Sequence, residues 1–249
     1  MRVHRGAIDA ILLDIEGTTT PIAFVHDVLF PFARRHMREF LKDTRGTAPV
    51  ADALMKLELE WADDAAKGQA PPPWTGSGAQ ADVSVIAAYL EWLMDRDRKS
   101  PALKLIQGLI WQRGYRAREL TSDVYPDVRP AIERWKSHAL VVAIYSSGSA
   151  LAQRLLFAHT GEGDMTPLLG GFFDTDVGPK TAAHSYEQIA GALGTSAGRL
   201  LFVSDAAKEV EAAHSAGCQT VLCVRPGNPI QAPAIHIDAI RTFDEIAVV

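Results

Sequence analysis

Four places in this sequence set acids, hydroxyls or an ammonium just beyond an apolar run. Asp14 and Glu16 follow Ile11-Leu12-Leu13, and Ser146 and Ser147 follow the run from Leu140 to Tyr145. Lys180 stands in Gly178-Pro179-Lys180, and Asp205, with Glu209 one helical turn on, follows the run from Arg199 to Val203. Carboxylate oxygens are hard ligands suited to a divalent cation such as magnesium, while hydroxyls and an ammonium suit a phosphate. The set therefore describes metal-assisted chemistry on a phosphate ester. Asp14 can attack phosphorus as the nucleophile once a cation offsets the repulsion between two anions. Glu16, on a turn two residues on, can serve the leaving oxygen as general acid and then water as base. Ser146 can hydrogen-bond a phosphate oxygen, helped by the backbone N–H groups of Ser147 and Gly148 at a helix start. Lys180 offsets phosphate charge and keeps Asp14 ionised, and Glu209 either orients Lys180 or acts through a water on the metal.

Taken singly, each group has a plainer explanation. An acid at a strand end is usually a turn former, Ser-Ser-Gly-Ser is usually a capped helix start, and a lone lysine is usually solvated. The elements that carry the groups change the weighing. Short, continuous apolar runs at 8–13, 140–145, 171–174, 199–203 and 220–224 alternate with helical segments beginning at Pro130, after Ser149, near Tyr186 and after Asp205. That alternation predicts an α/β fold whose parallel sheet is covered on both faces. In such a sheet ligands bind beyond the carboxyl ends of the strands, where all four sets of groups would meet. Between residues 22 and 121 the texture is different. Apolar residues recur at helical spacing (Leu54, Leu57, Trp61; Ile86, Tyr89, Leu90, Leu93) around a Pro/Gly-rich break from Gly68 to Gly78. This predicts a helical insert at 22–121 and a core made of 1–21 and 122–249, with the tryptophans of the insert packed in its interior.

Composition narrows the partners. With 249 residues, 47% hydrophobic and 22% charged, the chain can bury a large core. A net charge of −5 gives no reason to expect a nucleic-acid or anionic-membrane partner. Two cysteines, Cys218 and Cys223, are too few for a disulfide framework and lack C-x-x-C spacing, so they read as buried thiols in a reducing, cytoplasmic setting. No apolar run reaches the roughly 18 residues of a membrane span. No sustained heptad marks an oligomer, which leaves a monomer as the expectation. Gly161-x-Gly163 lacks the third glycine of a dinucleotide fingerprint, no Gly-Lys dipeptide exists for a P-loop, and no G-x-S-x-G elbow exists for a serine hydrolase.

Asp14-Ile15-Glu16-Gly17-Thr18 resembles the first motif of the haloacid dehalogenase-like phosphohydrolases, usually D-x-D-G-T, and Ser146, Lys180 and Asp205 fall where that superfamily carries its later motifs. A glutamate as second acid is similar to the acireductone synthase family, the enolase-phosphatases of methionine salvage. So are LLDIEGTTTPIAFVHDVLFPFA (12–33), DRKSPALKLIQGLIW (97–111), YPDVRPAIERWKS (125–137), YSSGSALAQRLLF (145–157), GDMTPLLGGFFDT (163–175) and RPGN (225–228). Residues 34–85 match nothing firmly, and Val203-Ser204-Asp205 departs slightly from that family's fourth motif. The resemblance implies a Rossmann-like core with an inserted helical cap. It implies one Mg2+ per chain, held by Asp14, Asp205 and the main-chain carbonyl of Glu16. Ser146, Ser147 and Lys180 would hold the substrate phosphate. The implied substrate is a small phosphorylated diketone, 2,3-diketo-5-methylthiopentyl-1-phosphate, enolised and then dephosphorylated to acireductone. Glu16 is the first choice of base for the enolisation, and Lys99 of the insert is a candidate to steer the substrate or stabilise the enolate. Two rivals are a plain sugar-phosphate phosphatase on the same fold and a catalytically silent phosphate-binding module.

Overall fold

The computed structural model describes residues 2–3, 6–229 and 231–248; the outer limits of the expected core, residues 1 and 249, lie outside them. The strands are β1 (Arg2–Val3), β2 (Ala10–Leu13), β3 (Val141–Tyr145), β4 (Gly171–Phe173), β5 (Leu200–Ser204), β6 (Gln219–Cys223), β7 (Ala239–Ile240) and β8 (Ala247–Val248). The α-helices are α1 (Phe30–Thr44), α2 (Ala48–Ala66), α3 (Val83–Asp95), α4 (Pro101–Arg116), α5 (Val128–Ser137), α6 (Ala150–Ala158), α7 (Ala183–Ala192) and α8 (Ala207–Ser215). The chain divides into two compact units, one running up to Val25 and resuming at Thr121, the other spanning His26–Leu120. A six-residue π-helical turn, Phe24–Leu29, carries the chain from the first to the second.

In the first unit a six-stranded sheet runs in the order β4-β3-β2-β5-β6-β7, with every pairing parallel. β1 and β8 pair separately, also in parallel. The central strands are apolar along their whole length because helices cover both faces. On one face Ala10 and Leu12, Ala143 and Tyr145, and Leu200 and Phe202 alternate inward onto Tyr186 and Ile189 of α7 and Val210 and Ala213 of α8. Burying each large side chain contributes about 1.5–3 kcal/mol. β2 begins at Ala10, two residues later than its apolar run suggests, because Asp9 faces outward and binds the Arg199 guanidinium. α5 begins at Val128, ahead of Pro130, and Asp127 before it makes no side-chain cap. That carboxylate is committed elsewhere, to Arg225 and to the Phe243 N–H.

The second unit is built of α1 to α4. Their buried faces carry Met37 and Leu41, Leu54 and Leu57, Ile86 and Leu90, and Ile106 and Ile110. α3 and α4 start at side-chain caps, Asp82 and Ser100, and Pro101 opens α4. Gly114 permits the close approach of α1 and α4: a Cβ there would lie 2.5 Å from the Phe32 ring. Trp111 and Trp92 pack in the interior as expected, and Trp61 holds the proline-rich loop through an Nε1–H bond to the Pro72 carbonyl. Among the described residues no helix is long and apolar enough to cross a membrane.

Candidate active site

The chain leaves central β2, crosses to β3 and β4 on one side, and returns to β5 on the other. The reversal opens a crevice at the carboxyl ends of these strands. Leu13 pairs with Ile144 and with Val203, so the residues that follow emerge at one level. The ladder runs one step further, with Asp14 N–H on the Val203 carbonyl at 3.0 Å and Ser146 N–H on the Phe173 carbonyl at 3.1 Å. Parallel register therefore brings Asp14, Ser146 and Ser204-Asp205 to the same edge.

After Asp14 the backbone wraps on itself. The N–H groups of Thr18, Thr19 and Thr20 all approach the Ile15 carbonyl, and the Thr19 hydroxyl donates to the Asp14 carbonyl at 3.0 Å. Glu16 bridges to Thr20 within the wrap. Gly17 turns it with φ +69°, and a Cβ there would lie 2.1 Å from Asp205 Oδ2. Only glycine lets the first loop meet the acid that follows β5.

Asp14 is buried, and both carboxylate oxygens are held. Oδ1 accepts the Ile15 N–H at 2.7 Å and Lys180 Nζ at 2.6 Å, and Oδ2 accepts the Ser204 hydroxyl at 2.9 Å. Lys180 also meets Glu209 Oε2 at 2.6 Å. Burial pulls the Lys180 ammonium toward neutrality, but the Asp14 and Glu209 carboxylates outweigh it and hold its pKa above the ordinary value. Glu209 goes the other way: burial, then the Asp14 charge, raise its carboxyl despite Lys180. Ser204 Oγ contacts Glu209 as well, at 2.9 Å, but a hydroxyl has one proton to give, so it serves one carboxylate at a time. The loop that presents Lys180 is fixed at three successive carbonyls. Tyr145 donates to Gly178 at 2.8 Å, Ser185 to Pro179 at 2.9 Å, and Tyr186 to Lys180 at 2.6 Å.

Beyond β3, Ser146 Oγ accepts the Gly148 N–H at 3.1 Å, so that amide is engaged within the loop, contrary to its expected part in phosphate binding. Ser147 follows half-buried, and Ser149 caps α6 by accepting the Ala152 N–H. Gln153, one turn into α6, donates to the carbonyls of Gly148 and Phe173 at 2.8 and 2.7 Å, pinning both ends of the loop. Lys99 belongs to the second unit, on the segment between α3 and α4, where its exposed ammonium meets Asp97 at 2.9 Å. Buried Asp64 steadies that segment by accepting from Arg98 at 3.0 Å and from the Tyr89 hydroxyl at 2.7 Å.

Ser204, Gln153 and the Arg225–Asn228 turn fall in stretches that carry the family resemblance, but residue type and spacing assign them no role in the site. Position 204 carried a signal, a hydroxyl beside the fourth-motif acid, but its two partners lie far away in sequence or one helical turn on.

The carboxylates outnumber the ammonium, and Asp205 shows the strain: burial first, then the Asp14 and Glu209 charges, push its carboxyl up to about 7. A divalent cation relieves such an excess, so the donor set suits one. The described residues contain no group of three or more His, Cys, Asp or Glu side chains set around a metal. Two carboxylates and a backbone carbonyl make an open set of hard oxygens, which magnesium accepts while keeping several waters.

Residues 8–217 match the haloacid dehalogenase-like hydrolase family. The chain is 48% identical over 244 residues to the enolase-phosphatase E1 of Synechococcus elongatus, covering 96% of this chain and 98% of that one. It is 44% identical over 239 residues to the enolase-phosphatase E1 of Klebsiella oxytoca, covering 96% of each. Among solved structures, the UTR4 protein of Saccharomyces cerevisiae superposes with a TM-score of 0.75 at 30% identity, covering 95% of this chain and 99% of that one. The putative hydrolase YfnB of Bacillus subtilis, solved with magnesium bound, shares the fold with a TM-score of 0.55 at 11% identity, over 96% of each chain.

Proposed function

The chain belongs to the haloacid dehalogenase-like hydrolases, and from that premise we propose that it is the enolase-phosphatase of methionine salvage. It enolises 2,3-diketo-5-methylthiopentyl-1-phosphate and then dephosphorylates the enol to acireductone. Near-full-length identity of 42–48% to enolase-phosphatases E1 supports the substrate. The observation that carries the chemistry is the buried Asp14 carboxylate, anchored through Oδ1 while Oδ2 is held by one hydroxyl.

An oxygen that accepts a single hydrogen bond keeps a lone pair, so Oδ2 of Asp14 is the attacking atom. It bonds to phosphorus as the bond from phosphorus to the substrate oxygen breaks, and Glu16 gives that oxygen a proton. Water then attacks phosphorus, Glu16 takes its proton, and phosphate leaves with Asp14 restored. Lys180, Ser146 and Ser147 hold the phosphate oxygens. Before these steps Glu16 removes the proton next to the carbonyl and passes it to the carbonyl oxygen to form the enol, then regains a proton from solvent for the leaving oxygen, with Lys99 of the second unit as the candidate to steer the diketone. The second unit, His26–Leu120, is the cap. One Mg2+, held by Asp14, Asp205 and the Glu16 carbonyl, supplies positive charge against the phosphate and the enolate oxygen. A monomer in a reducing cytoplasm, where the two buried thiols Cys218 and Cys223 stay reduced, completes the proposal.

The test supplies the diketo-phosphate with and without Mg2+ and follows ultraviolet absorbance and inorganic phosphate together. An absorbance rise that precedes phosphate release, both requiring Mg2+, is expected. Phosphate release with no enol signal would make the protein a plain phosphatase.

A further inference from the structure

Resting on the reading of Asp205 as a magnesium ligand, we propose that Asn228 is a positioning residue of the metal site, and that the Arg225–Asn228 turn is a clasp setting the distance between the first loop and Asp205. Nδ2 of Asn228 donates to the Gly17 carbonyl at 2.8 Å and to Asp205 Oδ2 at 3.1 Å. The Gly17 carbonyl is an acceptor only, which fixes the amide with its nitrogen toward that loop. One amide group thus ties the backbone next to Glu16 to the carboxylate across the crevice.

Further contacts make the clasp rigid. The Asp205 N–H donates to Thr18 Oγ1 at 3.0 Å, so the backbone of this acid is referenced to the same loop as its side chain. The Thr18 carbonyl accepts Arg225 Nε at 3.0 Å. Arg225 is itself buried, its guanidinium lying over the rings of Tyr125 and Phe243 and joined to Asp127 at 2.8 Å. Asn228 and Arg225 are ends of one tight turn, closed by Asn228 N–H on the Arg225 carbonyl at 3.2 Å, with Pro226 and Gly227 (φ +88°) at its centre. Pro followed by a positive-φ Gly is a pre-set turn that loses little entropy on folding. The scaffold at the start of α5 therefore fixes Arg225, and Arg225 and Asn228 together fix the Gly17-Thr18 carbonyls against Asp205. Groups that orient metal ligands govern how well the ion is held, and losing one weakens binding about 10–100-fold.

Calorimetric titration of Mg2+ alone into the full chain tests this, beside melting temperatures in EDTA and in saturating Mg2+. Asn228→Ala is expected to weaken Mg2+ binding about 10–100-fold and to shrink the Mg2+-induced rise in melting temperature, with the EDTA melting temperature little changed. Arg225→Lys, which keeps the charge and loses the fork, is expected to move Mg2+ affinity in the same direction. Wild-type Mg2+ affinity in Asn228→Ala overturns the assignment, as does a fall in the EDTA melting temperature with the Mg2+-induced rise intact, which marks a scaffold role only. A wild-type chain that shows neither Mg2+ heat nor Mg2+-dependent phosphate release overturns the functional reading, and this assignment with it.

Discussion

Lys180 Nζ lies 2.6 Å from Asp14 Oδ1, an ion pair buried on both sides and joined across 166 positions of chain. Burying either charge alone would be costly, so each is tolerated because the other is there. Lys180→Met is therefore expected to leave the Asp14 and Glu209 carboxylates facing each other without a counter-charge. The metal-free protein should lose about 3–5 kcal/mol of stability, the usual cost of removing one partner of a buried pair. Phosphate release should fall about 10²–10³-fold through loss of a donor to the phosphate. Urea unfolding in EDTA and steady-state phosphate assays read the two effects. A variant with unchanged kcat would remove Lys180 from the site.

Ser204 offers a finer probe, since its hydroxyl serves Asp14 on one side and Glu209 on the other. Ser204→Ala leaves Asp14 Oδ2 without its donor and costs about 1–3 kcal/mol. Its kcat is expected to fall while KM changes little, because the loss concerns the attacking oxygen and not the phosphate groups. Ser204→Thr keeps the hydroxyl and is expected to restore most of kcat. Equal rates in Ser204→Ala and wild type would show that the hydroxyl does no more than fill space.

The positions of the central strands and the acids at their ends were legible because parallel strands buried on both faces must be continuously apolar, and Leu12-Leu13, Val142 to Tyr145 and Leu200 to Val203 have no other comfortable home. Boundaries slipped where a polar side chain had a distant partner. Asp9 delays the start of β2 because its partner Arg199 lies 190 residues on, and Asp127 fails to cap α5 because Arg225 claims it 98 residues on. The same reason hid Gln153, Arg225 and Asn228. Each acts on backbone carbonyls, and a carbonyl carries no residue-type signal. What a sequence displays is side-chain chemistry at strand ends; what it conceals is which amides and guanidinium groups hold those ends in place.

Asp9 gives a pH-dependent test away from the site. Arg199 holds its carboxylate through a two-pronged contact and Thr195 adds a hydroxyl at 2.8 Å. The Arg199 bond first, then Thr195, lower its pKa from about 3.8 to about 2. A lowered folded-state pKa means that the contribution to stability is whole above about pH 3.8 and is lost as pH falls toward 2. Asp9→Asn is thus expected to lower the urea midpoint near neutrality by a small margin that closes as the wild type is acidified through that window. The contact is exposed, so high salt should narrow the margin too. A margin constant from neutral pH to pH 2 would mean that the substitution acts through something other than charge.

Gly17→Ala tests the meeting of the first loop with Asp205 most directly. The position has φ +69°, and the added Cβ would fall 2.1 Å from Asp205 Oδ2 and 2.6 Å from Asn228 Nδ2. Two penalties coincide. A non-glycine residue in the left-handed region costs about 1–3 kcal/mol, and the acid or the amide must also be pushed aside. Because the displaced groups are those around the proposed ion, the activity loss is expected to exceed what the stability loss explains. The midpoint in Mg2+ concentration for phosphate release should rise more than tenfold, while the folded far-ultraviolet spectrum is retained. Raising Mg2+ should recover part of the rate, since binding is weakened and the nucleophile is untouched. A variant whose rate is low yet indifferent to added Mg2+ would place the damage at Asp14 or Glu16 rather than at Asp205.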